Sequence, residues 1–170
     1  MRFSLVLIAL IVYGAAYGQS VNDLDSKGGF KNYKIGDEFS AHGDKIKFTK
    51  NLENPETKQY VVRDPVTVMS HTAEVELTFY KYKLSAIIVS FKNSSKEDYQ
   101  ELLESLQTLY GEPEQLKDKE KDKESERFEK VFVWNGQQVA LRMGYDQNYK
   151  LSEMTFYQQK GKLEKLKSEF

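Results

Sequence analysis

The sequence predicts an α+β domain: an antiparallel sheet of about five to seven strands, with one main amphipathic helix and a short C-terminal helix packed on one face. Three observations predict it. Val75, Leu77 and Phe79 alternate with Glu74, Glu76 and Thr78, the period of a strand with one buried and one wet face. Tyr99, Leu102, Leu103, Leu106, Leu109 and Tyr110 recur at three and four residues, the period of a helix with one apolar stripe. Asn135-Gly136 separates two strand-like runs, which reads as a type I′ hairpin.

The chain begins with an address. Arg2 precedes an unbroken apolar run from Leu5 to Val12, and small residues follow at Ala15, Ala16 and Gly18. That order is the charged, apolar, small-residue layout of a secretory signal, and the run is shorter than the ~20 residues of a spanning helix. The expectation is a signal peptide over 1–18 and a single domain over 19–170, exported to a periplasmic or extracellular destination. The domain carries a mobile N-terminal tail and a charged excursion at 114–128.

After the leader, Ser20 to Lys45 is irregular, punctuated by Gly28-Gly29, Gly36 and Gly43 and anchored by Phe30, Tyr33, Ile35 and Phe39. It reads as a tail and then a packed lead-in. Ile46-Lys47-Phe48 is a brief strand, Tyr60-Val61-Val62 a second, and Pro65 bars a central strand through its position. Beyond the turn at Lys81-Tyr82-Lys83, Leu84 to Phe91 is apolar on both phases, as expected of a central strand covered on both faces. Ser94 and Glu97 stand in capping-box relation at the head of the helix, and Gly111 with Pro113 ends it. Lys117 to Glu124 contains no apolar residue and reads as solvated. Val131 to Trp134, Gln137 to Met143 and Tyr149 to Tyr157 supply three more strands. Leu163, Leu166 and Phe170 give the C-terminal helix its apolar face. Residues 60–110 and 130–170 thus share an order of strands followed by a helix, a repeat of architecture without shared residues.

Residues 99–157 join an amphipathic helix ending in Leu109-Tyr110-Gly111-Glu112-Pro113 to a charged break, a Trp134 strand, an Asn-Gly hairpin and a last strand. This pattern resembles small exported domains of the outer-membrane assembly lipoprotein and β-lactamase inhibitor protein type, and secreted bacterial proteins of similar layout. The resemblance implies a helix-on-sheet module that binds another protein and performs no chemistry.

Composition narrows the function. The 170 residues hold 25 Lys plus Arg against 26 Asp plus Glu, so no general attraction to nucleic acid arises. The absence of Cys excludes disulfides, thiolate catalysis, Cys-ligated zinc and an acylated N-terminal Cys. His42 and His71 are the two histidines and do not share a helix at ligand spacing, so neither metal nor cofactor is implied. Asp37, His42 and Asp44 read as a solvated loop cluster, and His71 between Ser70 and Thr72 cannot share a strand face with either. Glu74 and Glu76 do share a face, but as ordinary glutamates of a wet one. Asn93-Ser94-Ser95 is a glycosylation sequon that coincides with the helix cap. Binding anchors are sought instead in the aromatics near loop ends: Tyr80, Tyr82, Trp134, Tyr145 and Tyr149. The leading expectation is an exported non-enzymatic binding module that engages a protein or cell-envelope component and does not span the membrane. The alternative is a carrier of a small apolar ligand, held where the helix and the N-terminal segment close a pocket over the sheet. A hydrolase with a site assembled from loops comes third.

Overall fold

The structure, a computed structural model, describes residues 23–159 apart from position 124. The leader expected at 1–18 and the C-terminal helix expected around Leu163, Leu166 and Phe170 lie outside the described residues. A helical turn over 23–27 is followed by a small hairpin, β1 (Gly29–Phe30) and β2 (Tyr33–Lys34). The remaining strands are β3 (Ile46–Asn51), β4 (Thr57–Val62), β5 (Val66–Val68), β6 (His71–Tyr80), β7 (Lys83–Lys92), β8 (Glu114–Gln115), β9 (Val131–Asn135), β10 (Val139–Asp146) and β11 (Leu151–Gln158). Helix α1 (Lys96–Tyr110) joins β7 to β8.

The nine-stranded sheet is antiparallel throughout, in the order β3-β4-β6-β7-β11-β10-β9-β8, with β5 paired to β6. Nine strands exceed the five to seven expected. The two beyond those expected are the short strands β5 and β8, which pair on a neighbour and need little apolar signal of their own. The order also sets two meanders back to back, since the last strand of the first, β7, pairs with the last strand of the second, β11.

Register assigns each residue a face. One face presents Val75, Leu77, Ile87, Val89, Met154, Phe156, Leu141 and Met143, and it holds the main core. Helix α1 covers one side of it with Tyr99, Leu102, Leu103, Leu106 and Tyr110. The N-terminal segment covers the other: Phe30 meets Phe156, and Phe39 packs edge-on against Phe79 and tilted against Tyr60. The opposite face carries Gln59, Glu76, Thr78, Ala86, Ile88, Glu153, Thr155 and Arg142, and is polar.

Several local expectations change. The helix cap is Ser95 with Asp98, one residue beyond Ser94 and Glu97; Ser95 Oγ accepts from the Asp98 amide and Asp98 accepts from the Ser95 amide. Ser94 is occupied elsewhere, since its Oγ lies 2.7 Å from Ser152 Oγ and its carbonyl accepts from Tyr145 Oη. The β9–β10 connection is not a type I′ turn, because neither Asn135 nor Gly136 has positive φ. Strand β9 runs through Asn135, and the loop is organised by Asp25, whose carboxylate accepts from the Gln137, Gln138 and Val139 amides. The two-residue turns with positive φ at both positions are instead Met69-Ser70 and Lys81-Tyr82. The charged excursion is not wholly solvated. It folds back over the polar face, where buried Phe128 packs with Val131 and Val133 in a second, smaller apolar cluster. Its return makes β10, rather than β7, the strand buried along its whole length on both faces. Strand β10 runs on past its expected end at Met143 to take in Gly144 to Asp146, and the turn begins after it.

Candidate ligand-binding site

The core face is not fully covered. Between α1 and the N-terminal hairpin a groove of about 860 Å³ opens over β11, within the range of about 300–1,000 Å³ usual for small-molecule sites. Helical periodicity explains one wall: Leu102, Leu106 and Leu109 stand at i, i+4 and i+7. Met154 and Phe156, on the core face of β11, make the floor, and Phe30 of β1 stands opposite. The far end is closed by Val68 and Met69 at the β5–β6 turn. Of the large apolar side chains that remain exposed among the described residues, Met69 and Leu109, the latter at 46% exposure, both stand on this rim.

The charges along the groove have one sign. Lys27, Lys31 and Lys34 line it from the N-terminal side and, among the described residues, no carboxylate does. Lys27 Nζ lies 5.3 Å from the Tyr110 ring centroid, and Lys31 Nζ donates to the Thr67 carbonyl at 2.8 Å. Among the described residues none of the three forms a salt bridge. Hydroxyls of Ser26, Ser105 and Thr108 complete the rim, with Thr108 Oγ1 turned back to the Glu104 carbonyl. Burial raises the Tyr110 phenol above its ordinary range, and Asp23 adds to the effect, so the ring enters the groove uncharged at neutral pH.

The five aromatics expected as anchors do not assemble. Trp134 is only 2% exposed, and its indole N–H donates to the Gly111 carbonyl at 2.7 Å, tying β9 to the end of α1. Tyr145 is also buried and packs against Tyr99 at 5.3 Å. Both are core residues, because the core face of β9 and β10 lies directly beneath the helix. Tyr80 is half-buried and reaches Glu56. Tyr82 and Tyr149 are exposed, at 68% and 78%, but sit beyond opposite ends of β7, about 30 Å of strand apart.

The titratable candidates are likewise separate. His42 is buried, not solvated: it packs at a tilt against Tyr33, with ring centroids 5.1 Å apart, and its Nε2 lies 2.9 Å from Asp37 Oδ2. His71 faces Asp98 at 3.7 Å and stands apart from His42. The Asp98 carboxyl is held below its ordinary range first by the Ser95 amide, then by the Ser95 hydroxyl, with a smaller contribution from His71. Glu74 pairs with Lys92 at 2.9 Å, whereas Glu76 is half-buried and its carboxyl is pushed up by desolvation and then by the charge of Glu74. The sequence missed the groove's lysines because a basic residue in a Gly-punctuated segment reads as solvated.

Among the described residues no helix is long and apolar enough to cross a membrane. The chain matches no curated protein sequence. A solved structure of a cysteine-rich secretory protein from Staphylococcus aureus subsp. aureus Mu50 aligns at 10% identity with a TM-score of 0.42, over 74% of this chain and 44% of that one. The chain therefore spans less than half of the staphylococcal protein. The family model of the TP0088 domain matches residues 28–163. That span takes in the N-terminal hairpin, the whole sheet and the helix, so the chain belongs to the TP0088 domain family.

Proposed function

We propose that this protein is a non-enzymatic binding protein that carries a single-chain anionic amphiphile, such as a fatty acid, in the groove between α1 and the N-terminal hairpin. The observation that carries the reading is a groove with apolar floor and walls whose charged groups, among the described residues, are lysines. A hydrocarbon tail against Leu106, Met154 and Phe156 would shed water at about 25 cal/mol per Å² of apolar surface. A carboxylate or phosphate at the mouth would meet Lys31 and Lys34. Export follows from the leader at 1–18, and an envelope or extracellular setting would supply such ligands. A non-enzymatic role agrees with the resemblance over 99–157. The protein-binding reading is second, supported by exposed Tyr82 and Phe48 beside the cleft formed by Phe39, Tyr60 and Lys58.

The test is titration of the mature protein with palmitate and with hexadecanol. Palmitate should bind at one to one, and Leu109→Asp, which alters an exposed position, should abolish binding without changing the fold. Lys31→Glu with Lys34→Glu should weaken palmitate at least about tenfold and leave hexadecanol unchanged. Failure of palmitate to bind overturns the reading. So does binding that appears only once residues 160–170 are removed, which would make the chain's own end the occupant.

A further inference from the structure

The polar face, on the side of the sheet away from the groove, holds a separate concavity that this reading does not use. The returning excursion 116–128 covers β9 and β10 but stops short of β6 and β7, leaving a cleft of about 740 Å³. Its floor follows from register. Gln59 lies beside Thr78, Thr78 beside Ala86, and Ala86 beside Tyr157; in the next row Glu76 lies beside Ile88 and Ile88 beside Thr155. Across its middle, hydroxyl-bearing Thr78 and Thr155 stand beside aliphatic Ala86 and Ile88, with Gln59, Glu76 and Tyr157 at the ends of the rows.

The wall is built and its charges are matched. Arg142 is buried; its Nη1 donates to both Asp122 carboxylate oxygens, at 3.1 and 3.0 Å, and to Ser125 Oγ at 2.7 Å. Arg127 Nη2 donates to Glu153 Oε2 at 2.6 Å, which also accepts from Ser90 Oγ. Among the described residues, four acids, Glu76, Glu120, Asp122 and Glu153, face four bases, Lys50, Lys123, Arg127 and Arg142. One polar group is unmet. Gln59 is 5% exposed and its Oε1 has no partner among the described residues. A buried carbonyl oxygen without a donor is costly, and native interiors seldom keep one.

We infer that this cleft is a second binding site, for an uncharged, hydroxyl-rich ligand: a saccharide, one of whose hydroxyls donates to Gln59 Oε1 once that side chain turns toward the cleft. The balanced charge gives neither an anion nor a cation an advantage, and an anion brings no donor to the oxygen. A sugar hydroxyl donates and accepts at once, which also suits Thr78, Thr155 and the Glu76 carboxyl. The C–H face of the ring would lie on Ile88 and Ala86. The site stands on the opposite face from the lysine-rimmed groove and does not depend on what fills it.

The experiment uses the mature protein with maltotriose, cellotriose and chitotriose, each titrated to millimolar concentration with calorimetry and thermal unfolding as readouts. At least one should bind and raise Tm. Gln59→Leu, which removes the unmet oxygen at similar volume, should leave Tm of the free protein unchanged or higher while lowering saccharide affinity at least about tenfold. Thr155→Val should lower affinity as well, and carries the test if Gln59→Leu fails to fold. Leu109→Asp, at the groove, should bind the saccharide as the wild type does, which separates this site from the carrier reading. No binding by any of the three sugars overturns the inference. So does a Gln59→Leu protein that loses stability yet binds normally, since the oxygen would then be met by buried water.

Discussion

Asp25 shows how much a single side chain can organise. It stands in the helical turn over 23–27, more than a hundred residues from the β9–β10 loop, yet its carboxylate accepts from three successive amides there, with 2.9 Å bonds to Gln138 and Val139. A Cβ at position 136 would stand 2.5 Å from the same carboxylate, so glycine is needed for close approach. Burial raises the Asp25 carboxyl, but the Gln137, Val139 and Gln138 amides together outweigh it and hold the group below its ordinary range. A depressed folded-state value stabilises the fold above the unfolded carboxylate range near 3.9, and that stabilisation is lost as pH falls through the lower folded value. Asp25→Ala should therefore cost about 2 kcal/mol at pH 7, with a smaller difference below pH ~4. Chemical denaturation at the two pH values measures both. Equal losses at both would mean that the amides do not depend on the charge.

At the scale of elements, α1 and the excursion illustrate opposite kinds of determination. The apolar stripe of α1 specifies its buried face whatever it packs on, and Gly111 at φ 79° ends it where expected. The cap moved by one residue because tertiary hydrogen bonds claimed Ser94, and Asp98 serves in the box as well as a glutamate would. The excursion has no such stripe. It is held by Arg142 to Asp122 and Ser125, by Lys121 Nζ on the Phe128 and Glu129 carbonyls, and by Phe128 itself. Phe128 sits where only glycine leaves room: a Cβ at position 144 would meet its ring at 2.5 Å. Gly144→Ala should displace Phe128 and cost about 1–3 kcal/mol. Amide hydrogen exchange should rise over 116–130 while α1 stays protected. Unchanged exchange there would show that the excursion is held by its ion pairs alone.

Across the whole molecule, the β7–β11 pairing carries the connection between two meanders. Seven register pairs join these strands, from Ala86 with Tyr157 to Lys92 with Leu151. The main core also runs without a break from Ile46 and Leu77 in the first meander to Leu141 and Trp134 in the second. With no disulfide to assist, the halves share one apolar interior, so they should unfold together. Fluorescence of Trp134, in the second meander, and far-ultraviolet circular dichroism should give coincident denaturation curves. Separated midpoints would show that each half holds its own core.

The fold class, the helix and the central strands were legible because their patterns are local: period two over 75–79 and a three-four stripe over 99–110 place apolar groups on one face before any partner is chosen. The short strands β5 and β8 were not legible, since two or three residues carry no period of their own and owe their conformation to pairing. Only tertiary structure decided which aromatics are anchors and which are core, because burial of Trp134 and Tyr145 depends on the helix laid over them. It also decided that the lysines of the lead-in line an apolar groove, and that a charged tract turns back to wall a polar cleft. Composition and periodicity specify what a segment can bury; where two distant segments leave a gap between them depends on how the strands are ordered, and that information is carried by no single stretch of chain.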